Sequence, residues 1–229
     1  MRKLLIAALL LLPFGAGGAL AAPLLSIQVF DNGTLIGSTS NVAGGFASLS
    51  TSDNFFSSVA VSAAGVPLTA NPGLATTTLD TRSNPGSADR LLSIQVTQTG
   101  LTGFPSGSLS NTFTGNTLLS GGNYSTFTIA NYIDASNTAF GTGILLAAAN
   151  YSNLGLGSFS TGPVVTSVTP GGLFSETTIY TILFTGGEAT ISGSAQLIGV
   201  AAVPEPMSLA LFGAGLLGLG FVQRARKRA

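Results

Sequence analysis

Residues 23–202 hold no sustained helical period. They offer instead short runs rich in β-branched and aromatic residues, cut apart by Gly, Asn, Pro and Ser. The clearest pair of runs lies late in the chain. Glu176–Phe184 (ETTIYTILF) leads through Thr185-Gly186-Gly187 into residues 188–200. In the second run Ala189, Ile191, Gly193, Ala195 and Leu197 point one way, and Thr190, Ser192, Ser194 and Gln196 the other. That is the period of a half-buried antiparallel strand. The pattern predicts a hairpin here, with Gly186-Gly187 supplying the positive φ of a tight turn. Further strands are expected at 24–30, 45–50, 55–63, 74–79, 91–99, 109–115, 125–133 and 143–149. Many short strands with loop-rich spacing predict an all-β fold, an antiparallel β-sandwich ectodomain.

Two smaller signals refine this. Asp31-Asn32-Gly33 reads as a hairpin turn, by the Asn-Gly preference. Leu24-Leu25-Ser26-Ile27-Gln28-Val29 recurs as Leu91-Leu92-Ser93-Ile94-Gln95-Val96. The simpler account is one buried-strand pattern arising twice, since beyond the hexamer only Gly33 and Gly100 continue the match. A duplicated half-sandwich is the alternative.

Nothing covalent braces such a fold: the chain has no Cys, and also no His and no Trp. Packing and sheet hydrogen bonds must hold it. Thiol nucleophiles, Ser-His-Asp chemistry and the usual zinc ligands are excluded with them. Charged residues are 7% of the chain, against roughly 25% in ordinary soluble domains. Between Pro23 and Val203 only Arg82 and Arg90 face Asp31, Asp53, Asp80, Asp89, Asp134, Glu176 and Glu188, a net charge of −5. No nucleic-acid partner is expected of that balance. A surface of Ser, Thr, Asn and Gly suits an exported protein among neutral polymers.

The two ends differ from the middle. Arg2 and Lys3 precede a nine-residue apolar run, Leu4–Leu12. Pro13 and glycines follow, then Ala19-Leu20-Ala21 with small residues at the cleavage spacing. Residues 1–21 therefore read as a signal peptide, a helix handled by the Sec translocon and cleaved after Ala21. At the other end Val203-Pro204-Glu205-Pro206 precedes Met207–Val222, 16 residues without a charge. As a helix that run covers about 24 Å, slightly short of a hydrocarbon core of about 30 Å. Ala210, Ala214 and Gly218 recur every four residues, the small-residue spacing of packed membrane helices. Arg224, Arg226, Lys227 and Arg228 then supply a cytoplasmic stop. Pro204 and Pro206 hold the preceding segment extended, as a protease-like site prefers its substrate.

A signal peptide, a polar interior, Val203-Pro204-Glu205-Pro206, a Gly/Leu helix and an Arg-rich tail together resemble the PEP-CTERM proteins of Gram-negative bacteria. The resemblance covers the last 27 residues or so. It implies that the tail is a sorting signal and that exosortase, a membrane transpeptidase-like protease, is a partner. It also implies a link to extracellular polysaccharide and biofilm. Phe174-Ser175-Glu176 through Ser194 is similar to the last hairpin of a recurring ectodomain type of that family. The expected organisation is a signal peptide at 1–21, the β-sandwich at 22–202 and the sorting signal at 203–229. The signal divides into a motif at 203–206, a transmembrane helix at 207–222 and a basic tail at 223–229. The protein would reach the inner membrane, then the cell surface or beyond.

Chemistry is sparse. Asp80 to Asp89 is oxygen-rich, yet it lacks the alternating ligands and final Glu of a calcium loop. Asp80 pairing with Arg82 or Arg90 across a turn is the plainer reading. Asn32-Gly33-Thr34, Asn123-Tyr124-Ser125 and Asn150-Tyr151-Ser152 fit the glycosylation triplet, as chance allows in so Asn- and Ser-rich a chain. Tyr124, Tyr132, Tyr151 and Tyr180 are the only rings besides Phe, with Tyr132 and Tyr180 expected in packing. No pair of carboxylates stands out for glycoside hydrolysis. The expectation is a non-enzymatic surface or matrix protein with no catalytic residue, metal or cofactor. The alternatives are a carbohydrate-binding module recognising the polysaccharide and, behind it, a polysaccharide hydrolase.

Overall fold

The computed structural model describes residues 22–199, apart from 70–72, 85–87, 103–107, 121–122, 153–156, 169 and 187. All regular structure among the described residues is β-strand, in two six-stranded antiparallel sheets. One sheet holds, in spatial order, β2 (Thr34–Val42), β1 (Leu24–Asp31), β6 (Arg90–Thr102), β11 (Leu173–Thr185), β8 (Asn123–Asp134) and β9 (Ile144–Ser152). The other holds β10 (Gly157–Ser167), β7 (Ser108–Ser120), β12 (Ala189–Gly199), β5 (Gly73–Ser83), β4 (Phe56–Gly65) and β3 (Phe46–Thr51). No helix among the described residues is long and apolar enough to cross a membrane. The expected signal helix, with Ala19 and Ala21, lies outside the described residues. So do Val203–Pro206, the run 207–222 and the basic tail.

The alternation read from the sequence becomes two inner faces packed on each other. Leu25, Ile27 and Val29 of β1 join Leu92, Ile94 and Val96 of β6 on one side. Val59, Val61, Leu74, Leu79 and Ile191 meet them from the other sheet. Full burial of each such side chain stabilises the fold by about 1.5–3 kcal/mol. Aromatic rings fill one flank. Phe127 and Phe159 meet edge to face with centroids 5.1 Å apart, and Tyr151 lies 4.5 Å from Phe159. The Phe159 ring lies over Gly115, its ladder partner, where a Cβ would sit 2.3 Å from the ring. Gly193 pairs with Gly115 on the next strand, so the sheet leaves room there for one large ring.

Two expectations need correction. Residues 176–184 and 188–200 do not form a hairpin. β11 is central in one sheet and β12 central in the other, so the chain changes sheets between Thr185 and Ala189, an arch across the core in place of a hairpin. Both strands have an apolar face, and facing each other across the sandwich buries those faces as side-by-side pairing would not. The sequence period is the same in either case. β2 and β10 were also absent from the expected strands. Both are edge strands, mostly exposed, and lack a continuous apolar face. Pro163 lies in a register break of β10 between Thr161 and Val164, as an edge tolerates.

The repeated LLSIQV hexamers are neighbours: β1 and β6 pair antiparallel, with Ile27 opposite Val96 and Val29 opposite Ile94. Asn32 and Gly33 take φ of 45° and 81° and close the β1–β2 turn, as expected. Asn32 also ties that turn to β6. Its amide donates to the Leu91 carbonyl at 2.9 Å, and its side-chain oxygen accepts from the Leu91 amide at 2.9 Å.

Register gives the sandwich two distinct ends. β1 begins and β12 finishes at the same one, here called the terminal end. β4, β6, β8 and β10 also finish there. The β1–β2 turn and the β11–β12 arch mark the opposite end.

Candidate functional site

The inner face carries a polar layer that sequence reasoning missed. Asn111 stands between Leu109 and Phe113 on β7, and Asn131 between Ile129 and Ile133 on β8. Glu176 and Thr178 stand between Phe174 and Tyr180 on β11. All are buried. For Asn111 and Asn131 the signal was present as a polar residue flanked at i−2 and i+2 by apolar ones on an inward face. The layer separates the main core from a smaller cluster at the terminal end, Leu101, Leu109, Ile133, Leu146, Phe174 and Leu197.

Hydrogen bonds run through it from sheet to sheet. Thr178 Oγ1 donates to Asn131 Oδ1 at 2.7 Å. Asn131 Nδ2 donates to Asn111 Oδ1 at 3.0 Å, and Asn111 Nδ2 to the Val164 carbonyl at 3.1 Å. Gln98 of β6 makes a second tie. Its Oε1 accepts from the Val66 amide at 3.1 Å, and its Nε2 donates to the Val66 carbonyl at 2.8 Å.

Glu176 is the exception in the layer. It pairs in register with Gln98 and Ile133, is fully buried, and neither carboxyl oxygen has a hydrogen-bond partner. Burial pushes its pKa up to about 8, since the interior disfavours a lone negative charge. Tyr180, four residues on, is raised by burial as well; its hydroxyl and Thr76 Oγ1 face each other without closing a well-formed hydrogen bond. A single neutral acid among amides is not an acid–base pair, and it has no opening to solvent.

The outer face of the β10–β7–β12–β5 sheet presents a different surface. A shallow groove of about 380 Å³ runs across it, lined by hydroxyls and one amide from four strands. Ser158, Asn116 and Ser192 form one cross-strand row, and Ser160, Thr114 and Ser194 the next. Thr114 Oγ1 and Ser194 Oγ lie 2.8 Å apart. No charged side chain lines it. Its hydroxyls and amide present many weak hydrogen-bond donors and acceptors side by side.

The other candidates fall elsewhere. Arg82 pairs with Glu188, and Arg90 lies 3.9 Å from Asp31 while its guanidinium sits 3.4 Å over the Phe55 ring. Neither arginine pairs with Asp80, which corrects the expected turn pairing. β5 and β6 belong to different sheets, which keeps Arg90 from Asp80, while Arg82, on the same strand as Asp80, turns to Glu188 instead. Asp31 is raised by burial despite Arg90, while Asp134 is lowered by hydrogen bonds from the Ser136 amide and hydroxyl. Residues 85–87 of the oxygen-rich loop lie outside the described residues, and no three acidic groups among the described residues converge on a metal site. Tyr151 and Tyr180 are packing residues beside Phe127. Tyr132 is half-buried, Asn150 is exposed, and the side chains of Asn123 and Tyr124 lie outside the description.

Two sheets, an uncharged outer groove and a core without converging titratable groups among the described residues define a β-sandwich-like module. Its destination is written in the segment that follows β12. A family model for the PEP-CTERM protein-sorting motif matches residues 202–227. The chain therefore carries the sorting signal of an exported protein, anchored in the membrane at its C-terminal end and processed by exosortase. No curated protein matches the chain with significant similarity.

Proposed function

We propose that this is a non-enzymatic surface or extracellular-matrix protein, exported through Sec and released from its membrane anchor at Val203–Pro206. Its β domain would associate with exopolysaccharide in a biofilm. The observation that carries the reading is the sorting motif at 202–227, directly after the last strand. The basic residues Arg224, Arg226, Lys227 and Arg228 retain the chain until processing. Deleting Gln223–Ala229 tests that role: retention and surface delivery should fall, and unchanged delivery would contradict it.

A second reading is favoured by the groove on the outer sheet. Its uncharged hydroxyl and amide rows suit a neutral polyhydroxylated chain, so the domain would act as a carbohydrate-binding module. Cosedimentation of the released protein with the organism's own polysaccharide separates the two readings. Saturable binding lost in Asn116→Ala or Thr114→Ala supports a module. Weak, unsaturable association that ignores both changes supports a bulk matrix role.

A further inference from the structure

We propose that the terminal end of the sandwich docks against the lipid surface to which the sorting segment tethers it. The inference rests on reading residues 207–222 as the membrane span. Three observations converge on it.

The first is where the chain enters and leaves. β1 starts at Leu24 and β12 finishes at Gly199, at one end of the sandwich. The segments read as membrane-directed, 1–21 and 203–229, continue from those two points. Seven residues lie between Gly199 and Met207, eight backbone steps with a reach of at most about 28 Å when extended. That is less than the length of β12 itself, about 36 Å for 11 residues. The terminal end cannot move far from the headgroups while the anchor is intact.

The second is the distribution of charge. Asp31, Asp53, Arg82, Asp89, Arg90 and Glu188 cluster at the opposite end, and Asp80 lies in that half. Only two charged residues belong to the terminal half. Asp134 is held by Ser136, and Glu176 is sealed in the core. The terminal end therefore approaches a bilayer with little charge to desolvate.

The third is the placement of exposed apolar side chains. Nine large ones are exposed among the described residues, and only Leu35 and Leu91 are at the opposite end. Leu68 (64% exposed) follows β4, Ile144 and Leu145 open β9, Val165 (59%) lies near the end of β10, and Leu173 opens β11. Phe46 and Val164 complete the set. These residues come from both sheets and share only an end. A second copy pairing along a strand edge would use one side; a plane across the strand ends uses them all. Each side chain adds little alone, but the tether makes contact intramolecular, so weak apolar insertion suffices.

The absence of Cys makes the test clean. Single variants Leu68→Cys, Leu145→Cys and Val165→Cys of the full chain, with Leu35→Cys at the opposite end and Leu216→Cys in the anchor, each receive an environment-sensitive fluorophore. They are reconstituted in phosphatidylethanolamine–phosphatidylglycerol vesicles carrying nitroxide lipids. Blue-shifted, quenched emission at 68, 145 and 165, with none at 35, supports docking. The same probe at Leu173→Cys should lose its quenching once Leu68→Ser, Leu145→Ser and Val165→Ser are combined. Quenching at 216 with water-like emission at 68, 145 and 165 overturns docking and leaves the anchor standing. No quenching at 216 overturns both.

Discussion

Asn131 Nδ2 on one sheet donates to Asn111 Oδ1 on the other at 3.0 Å, inside a core that excludes water from both. The bond is the middle link of a chain from Thr178 to the Val164 carbonyl. It fixes how the two sheets sit on each other, which apolar packing alone leaves adjustable.

Asn131→Ala should therefore cost more than one hydrogen bond. It leaves Asn111 Oδ1 and the Thr178 hydroxyl unpaired in the interior and opens a small cavity. A loss of about 2–4 kcal/mol is expected, read as the midpoint shift in urea unfolding of the released protein. A loss within about 0.5 kcal/mol, as surface changes give, would show that the network does not hold the sheets.

Glu176 sets a pH dependence of definite sign. Burial holds its folded pKa at about 8, against an ordinary carboxyl value of 4.5. Within that window the folded state holds a proton that the unfolded state releases. The contribution is full below pH 4.5, and stability falls as pH rises through the window to about 8. The slope is about 1.4 kcal/mol per pH unit. Glu176→Gln should flatten that slope and raise the unfolding midpoint at pH 8 above that of the parent. Parallel profiles for parent and variant would remove the buried acid from the account.

Gly115→Ala tests the aromatic flank. Its Cβ would lie 2.3 Å from the Phe159 ring and 2.8 Å from the Ser192 carbonyl. Overpacking of that kind costs about 1–3 kcal/mol. Gly162→Ala, with nothing within 4 Å, serves as the control. The expected result is a Tm lowered by several degrees for the first change alone; equal Tm values would show that Phe159 can move aside.

Much of this fold was legible because strand alternation is a local signal. Leu25-Ile27-Val29 and Leu92-Ile94-Val96 announce an inner face whichever strands they join. Pairing is not local. ETTIYTILF and its successor read the same whether they turn beside each other or arch across the core, and the structure takes the arch. β10 escaped because Gly162 and Pro163 interrupt it and an edge strand needs only one partner. The polar layer was readable in principle, since Asn111 and Asn131 each sit between inward-facing apolar residues. Read separately, though, each is one irregularity in a strand; only the register places Asn131 opposite Thr178. The groove gave no sequence signal, because Ser158, Asn116 and Ser192 come from three separate strands.

The central claim is that the β domain is cargo and the segment after Gly199 is its address. Intact-mass measurement of protein released from the cell surface tests it most directly. The account predicts a chain that lacks residues 1–21 and ends near Pro206. Released protein that still carries Arg228 and Ala229 would contradict it.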